Sequence, residues 1–215
     1  MIALVNTPTA RTNLVANEHA GPQVDIGPTV ETCADLAGRC VLITGCMFSG
    51  KTTALLRAAR LFAEPARVLV KHAADTRYRI DAIVAHDGDH LPAHAIADAR
   101  AITELIDEHT HLVVVDEVHF FDDSLADVIA ALTRCGIGVV AAGLDLGCWG
   151  QPFPSIDRLR EQSDERLVLT ARCGRCGRSA DRTQRTTPIV DGRLVGGAES
   201  YEPRCTDCWT PPPEG

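Results

Sequence analysis

The chain has 215 residues, room for one sizeable core and a small appendage, and its 45% hydrophobic and 23% charged content is ordinary for a soluble globular protein. A formal net charge of -8 argues against bulk attraction to nucleic-acid phosphates or anionic membranes and points to small molecules or copies of the chain as partners. No apolar run reaches the length of a membrane span, and the opening "MIALV" is too short for the apolar core of a signal peptide, so a cytoplasmic location is expected.

Residues 1–37 mix Pro, Gly, Thr and Asn without periodicity and are expected to form a disordered tail, as is "TPPPEG" at 210–215. From Gly38 the pattern changes. "CVLIT" suits a buried strand, a glycine-rich loop follows, and "TTALLRAARLF" has helical apolar spacing through Leu55, Leu56, Ala59 and Phe62. "RVLVK" predicts a strand, "AHDGDH" with His86 and Asp87 a loop, "DARAITELIDEH" a helix and "HLVVV" another strand. "SLADVIAALTRC" predicts a helix carrying Leu125, Val128, Ile129 and Leu132 and closed by Gly136, and "IGVVAAG" one more strand. Strands alternating with helices imply right-handed crossovers and a parallel sheet covered on both faces, an α/β architecture that collects ligands at the carboxyl ends of its strands.

The loop "GCMFSGKTT" fits G-x-x-x-x-G-K-[ST] through Gly45, Gly50, Lys51 and Thr52. Its glycines let the backbone N–H groups of Cys46, Met47, Phe48 and Ser49 curl around phosphate oxygens; Lys51 reaches the β- and γ-phosphates and Thr52 a Mg²⁺. In "HLVVVDEVHFF" an apolar strand ends in Asp116 and Glu117. Such an aspartate binds Mg²⁺ through water, and the glutamate can take the proton of a hydroxyl or water attacking the γ-phosphate. Together the motifs indicate phosphoryl transfer or ATP hydrolysis.

Of nine cysteines, Cys173, Cys176, Cys205 and Cys208 form two C-x-x-C knuckles, "CGRC" and "CTDC", while Cys33, Cys40, Cys46, Cys135 and Cys148 are scattered. Four thiolates in that pattern suit a closed, structural tetrahedral Zn²⁺ that anchors the stretch looped out between them. A zinc-ribbon P-loop ATPase acting on DNA shares these motifs, but the acidic balance and the 4% aromatic content weigh against it.

From about Gly38 to Trp209 the chain resembles the thymidine kinase family of the zinc-containing, cellular cytosolic type, through "GCMFSGKTT", "KHAADTRY", "DEVHFF", "AAGLD", "QPF", "LTARCGRC", "TQR", "VGGAESYEPRC" and "CTDC". The resemblance implies a P-loop ATP-binding domain over 38–165, a zinc-binding domain over 166–209 carrying a lasso loop, and transfer of the ATP γ-phosphate to deoxythymidine. It implies Glu117 as catalytic base, Asp75 and Arg77 near the triphosphate, and Met47, Phe120 and Leu144 around the thymine base. It further implies substrate contacts from Tyr201 and from the lasso residues Gly192, Arg193, Leu194, Val195 and Gly196. Members are commonly homotetramers. Two positions depart from the family pattern: His119 stands where glutamine is general, and Cys148, with Trp149 beside it, where an aromatic residue is expected to stack on the base. An imidazole at His119 is expected to add a pH dependence near about 6 to 7.

Overall fold

The computed structural model describes residues 33–188 and 196–213. Strand β1, Cys40–Gly45, is buried along its whole length and leads through the glycine loop into helix α1, Lys51–Ala59. Strand β2 is Arg67–His72; β3, Ala82–Val84, and β4, His90–Pro92, form an antiparallel hairpin; β5 is His94–Ile96. Helix α2, Ile102–Leu105, strand β6, Leu112–Asp116, helix α3, Ser124–Arg134, strand β7, Gly138–Leu144, helix α4, Pro154–Gln162, and strand β8, Glu165–Leu169, complete the core.

Six strands form one sheet in the order β5-β2-β6-β7-β1-β8, and every pairing is parallel. The pleat sends alternate residues of each strand to opposite faces. Val113, Val115, Val139 and Ala141 therefore meet Leu125, Ile129 and Leu132 of α3 and Ile156 and Leu159 of α4 on one face. Val41, Ile43, Val114 and Val140 meet Leu55, Leu56 and Ala59 of α1 on the other. Each fully buried leucine or isoleucine contributes roughly 1.5–3 kcal/mol by leaving water, so the two covered faces fix the sheet and with it the carboxyl edge where β1 and β6 end.

The remaining strands are short: β9, Ala171–Arg172, pairs with β10, Ser179–Ala180, and β11, Arg182–Arg185, pairs with β12, Tyr201–Arg204. They form the lobe that carries the two knuckles.

Several boundaries differ from the sequence reading. The helix expected from Asp98 to His109 shrinks to a 3₁₀ turn, Ala99–Ala101, followed by α2. The chain turns extended at Ile106 (φ -89°, ψ 150°), and Asp107 instead accepts from the His109 N–H at 2.9 Å and from the Thr110 hydroxyl at 3.0 Å. Such local side-chain bonds compete with helix continuation. The "AHDGDH" segment is the tip of the β3–β4 hairpin, closed by Ala85 N–H to Asp89 O at 2.7 Å, with Gly88 at φ 89°. Helix α4 and strand β8 have no counterpart among the predicted elements. As an edge strand β8 leaves Arg166 and Val168 exposed, which breaks the apolar run that marks the inner strands, and it crosses the boundary expected between residues 165 and 166.

Candidate active site and metal site

The phosphate loop begins where β1 leaves the sheet. Gly45 adopts φ 146°, and a Cβ there would lie 2.1 Å from the Leu169 carbonyl oxygen, so only glycine fits this exit. Gly50 (φ 86°) then sets the entry to α1. Lys51 is buried and donates from Nζ to the Cys46 carbonyl at 2.6 Å, while Ser49 Oγ is buried without a hydrogen-bond partner. A phosphate oxygen accepted into this loop would satisfy both. Burial lowers the Lys51 pKa, with Glu117 and Asp116 opposing the shift.

Strand β6 lies beyond β7 from β1, yet its carboxyl end reaches the same place: Thr52 Oγ1 donates to Asp116 Oδ2 at 3.2 Å. Burial, and after it the charge of Glu117, pushes the Asp116 carboxyl up to about 7. A hydroxyl and a carboxylate side by side are oxygen donors of the kind Mg²⁺ takes next to nucleotide phosphates. Glu117 sits in the left-handed region (φ 56°, ψ 40°), a conformation that costs an ordinary residue roughly 1–3 kcal/mol. With Phe48 (φ 64°), which lies within the phosphate loop, it is one of two such non-glycine residues among those described. Glu117 Oε1 accepts from Arg77 Nη2, and Arg77 Nε donates to Asp75 Oδ1 at 2.6 Å. Burial opposes the Arg77 charge, but Glu117 and Asp75 outweigh it and raise the guanidinium pKa further.

Beyond Glu117 opens a cleft of about 620 Å³, its solvent-facing mouth included. Met47, Phe120, Leu144, Cys148, Gly196 and Tyr201, all expected around the substrate, line it together with Arg77 and Glu117. Gly192, Arg193, Leu194 and Val195 lie outside the described residues. Both residues of the Cys148–Trp149 pair face the cleft, and they pack in one cluster with Met47 and Tyr201. The walls also include residues that sequence reasoning did not single out as ligand contacts: His119, Gly147, Gln151, Phe153 and Thr183. Phe153 and Thr183 lie in or beside the family stretches "QPF" and "TQR", which is the signal that could have found them.

The His119 ring lies 4.3 Å from Phe120 and 4.9 Å from Phe153, centroid to centroid, and its Nδ1 accepts from the Leu144 N–H at 3.3 Å. Burial drives its pKa down to about 4 against the attraction of Glu117, whose Oε2 is 3.5 Å away. The imidazole is therefore neutral near pH 7, which corrects the expectation of a titration near 6 to 7.

In the lobe, the thiols of Cys173, Cys176, Cys205 and Cys208 gather so that all four Sγ atoms lie within 4.8 Å of one another, with Cys176 and Cys205 at 3.6 Å. Zinc–thiolate bonds of about 2.3 Å imply a tetrahedron edge of about 3.8 Å, so the four cysteines fit Zn²⁺ and leave no position open for chemistry. Two buried contacts join this lobe to the phosphate loop: the Met47 N–H donates to Thr183 Oγ1 at 3.0 Å, and the Cys46 thiol to the Ala180 carbonyl at 3.3 Å.

The thymidine kinase family profile matches residues 38–209. A thymidine kinase of Mycoplasma capricolum is 33% identical over 206 residues, covering 88% of this chain and 97% of its own. One of Mesoplasma florum is 36% identical over 184 residues, covering 78% and 89%. Among solved structures, an ATPase domain 13% identical overlaps 62% of this chain and 69% of its own with a TM-score of 0.42. Among the described residues no helix is long and apolar enough to cross a membrane.

Proposed function

Because the chain belongs to the thymidine kinase family and is an ATP-dependent thymidine kinase, we propose that transfer takes place between the phosphate loop and the adjoining cleft, with Glu117 as the general base. A family match that runs from Gly38 through the last knuckle leaves the DNA-dependent ATPase reading without support. The observation that carries the proposal is the position of Glu117: it lines the cleft and directly follows Asp116, the partner of Thr52.

Thymidine lies in the cleft with its base among Met47, Phe120, Leu144, Cys148 and Tyr201 and its 5′-hydroxyl toward Glu117. Of the lasso expected over Gly192 to Gly196, Gly196 lines the cleft, and a main-chain N–H and C=O are the groups that match the imide edge of thymine. Glu117 takes the 5′-hydroxyl proton as that oxygen bonds to the γ-phosphorus, the bond to the β–γ bridging oxygen breaks, and ADP leaves. Lys51 and the loop N–H groups of Cys46, Phe48, Ser49 and Gly50 hold the charge that develops on the phosphate oxygens; the Met47 N–H, expected among them, is taken by Thr183 Oγ1 instead. Arg77, steered by Asp75, adds to it. Thr52 and Asp116 would hold Mg²⁺, which supplies charge neutralisation at the β- and γ-oxygens when bound. Cys173, Cys176, Cys205 and Cys208 would hold Zn²⁺, which would tie together the two knuckles on either side of the intervening stretch. Family membership also supports a cytoplasmic homotetramer built from a P-loop domain and a zinc domain, with the division expected between residues 165 and 166 moved past β8, since that strand belongs to the core sheet.

Glu117→Gln should lower kcat by about 10²-fold or more while ATP binding is largely retained. A variant that phosphorylates thymidine at the original rate would remove Glu117 from the role of base. Lys51→Ala should lose nucleotide binding and turnover together.

A further inference from the structure

Lys71 stands near the carboxyl end of β2, beside Asp116 in the sheet register, and its side chain is 2% exposed. A lysine so deeply buried is rare, because an unpaired ammonium ion out of water costs several kcal/mol. Its Nζ donates to Asp75 Oδ2 at 3.2 Å and to the Arg79 carbonyl at 2.9 Å. Asp75 uses its other oxygen for Arg77, and Arg77 in turn donates to Glu117. Lys71, Asp75, Arg77 and Glu117 thus form one line of alternating charge, two cations and two carboxylates, that runs from the sheet to the cleft and sums to zero.

This arrangement places the Arg77 guanidinium on the carboxylate that must accept the 5′-hydroxyl proton. An arriving triphosphate has to draw Arg77 off Glu117, and the ease of that exchange depends on how strongly Asp75 claims the same guanidinium. We propose that Lys71 is a positioning residue which, by neutralising Asp75 from behind, keeps Arg77 exchangeable between Glu117 and the ATP phosphates. The inference rests on the reading of Glu117 as base. Without the Lys71 charge, two buried carboxylates compete for one cation and lock it in place, so ATP, not thymidine, bears the cost.

The test uses the full-length chain with Lys71→Met and with Lys71→Gln, whose amide still donates to Asp75 and Arg79 and protects against simple failure to fold. Both should lower kcat/KM for ATP about tenfold while the thymidine KM stays within about twofold. Adding Asp75→Asn to Lys71→Met removes the surplus carboxylate but leaves an amide oxygen for Arg77 Nε, and should restore kcat/KM for ATP to within about threefold of wild type. A folded Lys71→Gln enzyme with wild-type ATP kinetics overturns the inference, as does a loss that Asp75→Asn deepens instead of repairing, or a thymidine KM that rises in parallel. Glu117→Gln measured alongside separates the two readings. If it is inactive while the Lys71 variants are normal, only the Lys71 role falls; if it keeps its rate, the base assignment falls and this inference with it.

Discussion

In the core, inner strands such as β1, β6 and β7 bury side chains on both faces, and three helices cover them. The lobe has strands of two to four residues, and among the described residues its own buried cluster consists of Cys173, Ala180 and Cys205 with Ala171 and Cys208 against them. Two-stranded pairs of that length are not stable alone in water. The core therefore holds its shape by apolar burial, whereas the lobe has four cysteines that fit a metal, whose binding in comparable small sites is worth about 10–16 kcal/mol. The substrate cleft takes its walls from both, so its integrity follows the weaker partner.

Breaking the metal site should give the largest effect. Cys205→Ser is expected to abolish stoichiometric zinc and raise the thymidine KM about tenfold or more, while the thermal transition of the core persists. Metal analysis and calorimetry on the same preparation check this. Loss of the core transition together with the zinc would mean that the two regions fold as one unit.

The seam offers a smaller perturbation. Thr183 is 3% exposed and accepts from the Met47 N–H, so Thr183→Val would leave that buried donor unpaired at a cost of about 1–3 kcal/mol. The expected outcome is a thymidine KM raised several-fold with zinc content unchanged, and Thr183→Ser should restore most of the affinity. A valine variant with an unaltered KM would show that the lobe is held to the loop by other contacts.

The same contrast explains what could be read from the sequence. The core strands and helices α1 and α3 were legible because burial on two faces or one writes itself as apolar runs or helical spacing, as in "HLVVV" and "SLADVIAALTRC". The phosphate loop was legible because it needs glycine at positions with unusual φ, and the knuckles because metal geometry fixes cysteine spacing. Helix α4 and strand β8 were not, since "PSIDRLREQ" buries only Ser155, Ile156 and Leu159 and β8 is half exposed. The ion line through Lys71 was hidden for a different reason: a lysine in "RVLVK" looks like a strand end reaching water, and only the fold shows that it is capped by Asp75. Nor could sequence decide between Cys148 and Trp149, because a cleft wall in a turn has no periodicity.

Since both residues of that pair face the cleft, each should matter. Trp149→Ala removes an aromatic contact worth about 0.5–1.5 kcal/mol beyond its area and should raise the thymidine KM by about twofold to tenfold. Cys148→Phe adds a ring to a cluster already filled by Met47, Tyr201 and Trp149 and should also weaken binding by overpacking. Combined, the two changes move one aromatic ring by one position and should be less harmful than their sum. Strict additivity would mean that the side chains do not share the space.

The smallest effect is expected at His119, and it separates rate from stability. The folded imidazole titrates at about 4, well below an exposed histidine's value of about 6.5, because burial disfavours its charge. Above about 6.5 both folded and unfolded states are neutral there and the contribution to stability is complete. As pH falls toward 4 the unfolded chain takes up a proton that the folded chain refuses, so stability is lost across that window. Glutamine does not titrate, and its amide oxygen can accept the Leu144 N–H that Nδ1 now accepts. His119→Gln should therefore leave the shape of the kcat/KM profile between about pH 6 and 8 unchanged, while its melting temperature falls less steeply than that of wild type between about pH 6.5 and 4. Melting curves and initial rates over one set of buffers give both readings. A histidine-dependent limb in the rate near pH 6.5 would mean that His119 is exposed to solvent during turnover, and parallel melting curves would mean that the imidazole is not desolvated in the folded, ligand-free protein.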